Sequence, residues 1–223
     1  MLRIGHRGAA GHAPENTLLS LNRALELQVD VVEIDVQRTR DGQLVLMHDK
    51  RVNRTTNGKG YVKELRYAEV CALDAGNGQS PPSLRHAIEL VNGAAQLMVE
   101  LIDPAIVPDV VRLVDDLRCW DEIIFASFHH RAVQQVRRMH PAARTLALAE
   151  GIPVNYSDFA KAANVTHVGL SLDSLTEEFV AVLRGERYKV FVYTVNDEDD
   201  IRRLIEMPVD GIISDYPERI PKS

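Results

Sequence analysis

The sequence predicts an α/β protein, a TIM (β/α)8 barrel with a β-hairpin and a small insertion after strand 2. Three observations carry this reading: eight short, β-branched apolar runs recur along the chain, segments with helical spacing separate most of them, and one interval is far longer than the rest. The runs are continuously apolar rather than alternating, which marks strands buried on both faces of a parallel sheet. Eight strand and helix units in 223 residues fit a compact barrel, with a doubly wound open sheet as the alternative. No Gly-rich phosphate loop follows a strand, which weakens that alternative.

In chain order the predicted strands are Leu2 to Gly5, Val31 to Val36, Leu97 to Ile102, Ile123 to Phe128, Thr145 to Leu148, His167 to Leu170, Val190 to Val195 and Gly211 to Ser214. Helical spacing joins Leu18, Leu21 and Leu25, then Val107, Val110, Val111 and Val114, then Ile201, Leu204 and Ile205. Pro14-Glu15 reads as the opening of the first helix, and Asn196 as a cap ahead of Asp197, Glu198 and Asp199. Leu97 lies 66 residues beyond Val31, more than twice any other interval, so this stretch holds more than one helix. It begins with a ninth strand-like run, Gln43 to His48, after Asp41-Gly42, a strong hairpin signal. A two-residue turn there sets Arg40 against Gln43 and returns His48 opposite Asp35. A helical-looking Lys63 to Leu73 follows. Residues 49–82 read as an insertion over the barrel mouth, too short and too sparsely apolar for a core of their own, so residues 1–223 are expected to form a single TIM-barrel domain.

Composition narrows the function. With 45% hydrophobic and 26% charged residues, the chain is neither disordered nor a disulfide scaffold. Its 26 basic against 32 acidic residues give a net charge of -6, which opposes nucleic-acid binding. Cys71 and Cys119 lie far apart and read as reduced bystanders. No apolar run reaches the roughly 18 residues of a membrane span, and Met1-Leu2-Arg3-Ile4 leads straight into His6-Arg7-Gly8. The expectation is a cytoplasmic protein without stable membrane association, whose homo-oligomeric state stays open.

Glu33 and Asp35, two apart in Val31 to Val36, point to one side of a strand. Glu100 is a third lone acid, in the next barrel strand. Burying such acids together costs several kcal/mol or protonates one of them, so a cation is expected. Neighbouring carboxylates suit a hard ion, Mg2+ or Ca2+, better than zinc; an internal Arg or Lys is the competing partner, but these strand runs contain none. His6 and His48 end their strands at the C-terminal face, where barrel active sites are built, and two imidazoles beside a metal-bound phosphate suit acid and base work. Arg7 is positioned to grip a phosphate oxygen, and Phe128 and Tyr193 to line the organic part of a substrate pocket. The remaining histidines read as structural, with His129 the one to watch.

These residues fall into ordered motifs: His6-Arg7-Gly8, Pro14-Glu15-Asn16-Thr17, Glu33-Ile34-Asp35-Val36, Thr39-Arg40-Asp41-Gly42, His48-Asp49 and Arg54-Thr55-Thr56-Asn57-Gly58. Ser127-Phe128, Tyr193-Thr194-Val195-Asn196 and Gly211 to Pro217 extend the series over essentially the whole chain. The set strongly resembles the glycerophosphodiester phosphodiesterases. The resemblance implies a TIM barrel, one divalent cation on Glu33, Asp35 and Glu100, His6 and His48 as the acid and base pair, and a small-molecule phosphodiester hydrolysed to glycerol 3-phosphate and an alcohol. Two positions depart from the family pattern: Ile102 stands where a lysine is usual, and Tyr193 where a tryptophan is. The rival readings are a related lysophospholipase D and a barrel that binds a phosphodiester or a metal without turnover.

Overall fold

A computed structural model describes residues 1–222. Nine strands form one sheet: β1 (Leu2–Gly5), β2 (Val31–Arg38), β3 (Leu44–Leu46), β4 (Gln96–Leu101), β5 (Ile123–Ser127), β6 (Arg144–Ala149), β7 (His167–Ser171), β8 (Lys189–Tyr193) and β9 (Gly211–Ser214). β1 pairs in parallel with both β2 and β9, so eight parallel strands close on themselves. The open-sheet alternative is thereby excluded. β3 stands outside the ring as the antiparallel neighbour of β2.

Helices α1 (Leu18–Glu26), α2 (Tyr67–Cys71), α3 (Leu84–Val91), α4 (Val107–Leu117), α5 (His130–Met139), α6 (Asp158–Ala163), α7 (Glu177–Gly185) and α8 (Glu198–Ile205) fill the connections. After β9 the described residues make only the short 3-10 turn Pro217–Arg219. Side chains alternate along the strands. One set, including Ile4, Val31, Met98, Ile124, Leu146, Leu148, Phe191 and Ile213, packs the barrel interior; the other packs under the helices in two larger clusters. Both strand faces are dry, as the continuous apolar runs require.

Four local expectations need correction. The hairpin loop has three residues rather than two: Thr39 N–H donates to the Gln43 carbonyl at 2.9 Å, and Gly42 takes the bulge position with φ +84°. The register moves by one, Val36 pairs with Leu46, and Met47 rather than His48 lies opposite Asp35, donating its N–H to the Asp35 carbonyl at 3.0 Å. His48 lies beyond the last β3 residue, so the ladder does not dictate where its ring points.

The first helix starts at Leu18 under a Thr17 cap, because Pro14 to Asn16 turn toward the barrel mouth. Asp197, not Asn196, caps α8, accepting from the Asp199 and Asp200 N–H groups. The helical-looking Lys63 to Leu73 divides into a 3-10 turn, Val62–Glu64, and α2. Its backbone is recruited elsewhere: the Arg40 N–H takes the Leu65 carbonyl at 2.8 Å, and Asp41 accepts from the Tyr67 N–H at 2.9 Å. The insertion contributes Val52, Val62 and Val70 to a small buried cluster completed by Val45 and Met47 of the hairpin.

Candidate active site

Alternation along the inner strand faces carries the chemistry upward. Above Ile4 stands His6, above Val31 stand Glu33 and Asp35, above Met98 stands Glu100, and above Phe191 stands Tyr193. Register sets Asp35 beside Glu100 across β2 and β4. One carboxylate oxygen from each of Glu33, Asp35 and Glu100 lies within 4.8 Å of the others. Glu33 is 4% exposed and Asp35 1%.

The β1 to α1 loop builds the wall around these acids. Arg7 N–H donates to Glu33 Oε2 at 2.8 Å. Asn16 Nδ2 donates to Asp35 Oδ2 at 2.7 Å, and Asn16 Oδ1 accepts from the Asp35 N–H at 3.1 Å. The loop needs a left-handed backbone at Gly8 (φ +89°), where a Cβ would strike Ser20 at 2.3 to 2.7 Å. The Arg7 guanidinium reaches Glu15 through Nη1 at 2.7 Å and lies 3.3 Å from Asp35 Oδ2 through Nε. That buried Nε has no hydrogen bond.

One guanidinium already shared with Glu15 does not balance three clustered acids, two of them buried. Burial, followed by repulsion from Asp35 and Glu100, drives the Glu33 carboxyl well above the ordinary range. Burial and Asp35 push Glu100 up to about 8. Carboxylates that resist ionisation for these reasons fit a hard divalent cation, which restores their charge by its own.

Both predicted histidines reach one cavity of about 200 Å³ that also contains Arg7, Glu33 and Glu100. Each has a carboxylate on Nδ1: Asp215 for His6 at 2.7 Å, and Asp49 for His48 at 2.8 Å. These carboxylates are themselves anchored. Asp215 accepts from Asn196 Nδ2 at 2.6 Å. Asp49 accepts from Arg54 Nε at 2.8 Å and Nη2 at 2.9 Å, and Arg54 also clasps Glu15. Arg54 lowers the Asp49 carboxyl far below its ordinary range against the effect of burial, with His48 adding to it.

Phe128 and Tyr193 form an edge-to-face pair, centroids 5.8 Å apart, on the apolar side of the same cavity. Ile102 does not line it. It borders an adjoining cleft that is also lined by His48, Asp49 and Lys50. His129 lines that cleft too. Sequence reasoning missed Asp49, Arg54, Asn196, Asp215, Glu15 and Asn16 as site residues. Their motifs were visible, but which side chain meets which depends on long-range closure such as β1 against β9.

A family model described as the glycerophosphoryl diester phosphodiesterase family matches residues 6–219. A glycerophosphodiester phosphodiesterase of Caldanaerobacter subterraneus is 32% identical, aligned over 98% of this chain and 96% of its own length. One from Bacillus altitudinis is 31% identical over 98% and 96%. The solved structure of an Oleispira antarctica phosphodiesterase in complex with the product sn-glycerol-3-phosphate superposes with a TM-score of 0.90 at 29% identity, covering 97% of this chain and 94% of that one.

Proposed function

The chain belongs to the glycerophosphoryl diester phosphodiesterase family, and from that premise we propose that it hydrolyses glycerophosphodiesters to glycerol 3-phosphate and an alcohol. In this reading Glu33, Asp35 and Glu100 hold one divalent cation, Mg2+ or Ca2+, and His6 and His48 are the acid and base. The observation that carries it is two histidine and carboxylate pairs converging on one cavity with three clustered acids.

A bound divalent cation supplies charge neutralisation and polarisation of phosphoryl oxygens, worth several kcal/mol. The chain's own residues do the rest. Asp215 and Asp49 hold the Nδ1 side of each ring, which leaves each Nε2 to accept or donate a proton. One imidazole removes the proton from the attacking hydroxyl as its oxygen bonds to phosphorus. The other protonates the alkoxide as the phosphorus–oxygen bond to the alcohol breaks. Such acid and base work contributes ~10²- to 10⁴-fold. The attacking hydroxyl is that of water or of the neighbouring glycerol carbon, the latter giving a cyclic phosphate that water then opens. Arg7, which lines the cavity beside Glu33 and Glu100, orients a phosphate oxygen, and Phe128 and Tyr193 flank the organic moiety.

Residues 1–223 act as one catalytic domain in this reading, with 49–82 as its rim. The free thiols of Cys71 and Cys119 support a cytoplasmic setting, and among the described residues no helix is long and apolar enough to cross a membrane. Release of glycerol 3-phosphate from glycerophosphocholine, dependent on added Mg2+ or Ca2+ and lost in His6→Ala and His48→Ala, is the expected result. Activity that survives a chelator overturns the reading. Faster turnover of a lysophospholipid than of glycerophosphocholine assigns the lysophospholipase D role instead.

A further inference from the structure

The cavity contains one acid that the reaction above does not use. Leu146 and Leu148 of β6 point into the barrel, so Glu150, two residues on, continues that inner series at the mouth. It lines the cavity together with His6, Arg7 and His48. Among the described residues its carboxylate has no ion pair and no hydrogen bond; its backbone carbonyl accepts from the Ser174 hydroxyl. Arg7 is the one Arg or Lys side chain of the cavity lining, and it is committed to Glu15 and Asp35.

A free carboxylate beside the entry of a phosphodiester anion repels it, unless the substrate brings a positive charge to that place. The two aromatic rings stand at the same wall. Tyr193 donates its hydroxyl to the Ala149 carbonyl at 3.0 Å, so the ring is fixed and its polar tip is used up. Phe128, at 88° to it, is left 42% exposed. The tyrosine hydroxyl lies above its ordinary range through burial and then the charge of Glu150, which places the carboxylate within electrostatic reach of that ring. A carboxylate next to aromatic faces is the chemistry that recognises an ammonium group.

We propose that Glu150, with Phe128 and Tyr193, forms a subsite for an ammonium-bearing alcohol, primary or quaternary, and thereby sets a preference for cationic over uncharged head groups. The proposal rests on the hydrolase reading and names the substrate class within it. Its test is the ratio of kcat/KM for glycerophosphocholine to that for glycerophosphoglycerol, measured with added Mg2+ in the full chain. Glu150→Gln is expected to lower that ratio about tenfold, Glu150→Lys further, and Phe128→Leu by a factor of about three to ten. Glu150 is exposed, so folding is not at stake, and the two Glu150 substitutions bracket the charge effect. A ratio that stays within twofold of the parent in both overturns the subsite and leaves the hydrolase reading standing. Absence of turnover of either diester by the parent chain overturns both.

Discussion

The two ends of the barrel treat charged groups in opposite ways. At the N-terminal end, Asp210 accepts from the Val190 N–H at 2.9 Å and faces Arg184 at 2.6 Å and Lys189 at 3.0 Å. Burial pushes its carboxyl up, but the Val190 N–H, Lys189 and Arg184 together hold it below the ordinary range. At the mouth three acids share a single arginine, and Glu33 and Glu100 sit above that range. The histidines divide in the same way. His6 and His48 each meet a carboxylate, whereas His167, at the lower end, meets the Thr166 hydroxyl at 2.7 Å. Burial, followed by the charge of Arg144, lowers His167 to about 4. The lower end is balanced within the chain, whereas the acids of the upper end lack an equal counter-charge among the described residues. That is the division of stability and chemistry expected of this architecture.

The largest effect expected from breaking the contrast is on turnover. His6→Ala and His48→Ala each reduce kcat by ~10²- to 10⁴-fold while the melting temperature moves little, because both rings face the cavity. A large loss of stability in either would make these rings structural.

His167 gives the next effect, on stability against pH. Its folded pKa is depressed, so below about 6.5 the unfolded chain binds a proton that the folded chain refuses. Its stability contribution is intact above that pH and is lost as pH falls from about 6.5 to about 4, by roughly 3 kcal/mol at 1.36 kcal/mol per unit. Denaturant titrations across that range, with His167→Gln as the control, measure it; equal slopes in the two proteins would refute the assignment.

Asp210→Asn is expected to cost about 1.5–3 kcal/mol, the range for hydrogen bonds to a charged group, and to leave kcat unchanged, as read by chemical unfolding and initial rates. Glu100→Gln acts in the other direction. In a chelator it raises stability by about 1 kcal/mol, roughly 2–4 °C for a chain of this size, by removing a carboxyl whose ionisation burial and Asp35 disfavour, while the stabilisation that Mg2+ or Ca2+ gives the parent disappears. A lower melting point in Glu100→Gln would mean that the acids are already compensated within the fold.

Much of this is legible in the sequence. The eight runs, the long second interval and the three acids follow from side-chain period and from the cost of burying charge, both of which act over a few residues. What was illegible depends on closure. Asn196 reads as a helix cap because it precedes a run of acids, yet Asp197 caps α8 and Asn196 turns to Asp215 across 19 positions. His48 reads as the partner of Asp35 under a two-residue turn, and a single extra loop residue moved the register without moving the ring from the cavity. Glu150 gave no motif at all. Only the inward alternation of Leu146 and Leu148 marks it.

Glu15 touches Arg7 on one side and Arg54 on the other, and Arg54 goes on to Asp49 and so to His48. One glutamate therefore couples the first loop of the barrel to a segment that arrives some forty positions later. Anyone exchanging that segment between related scaffolds to alter selectivity must transplant Glu15 with it, or the second imidazole will lose its alignment even though every residue of the graft is intact.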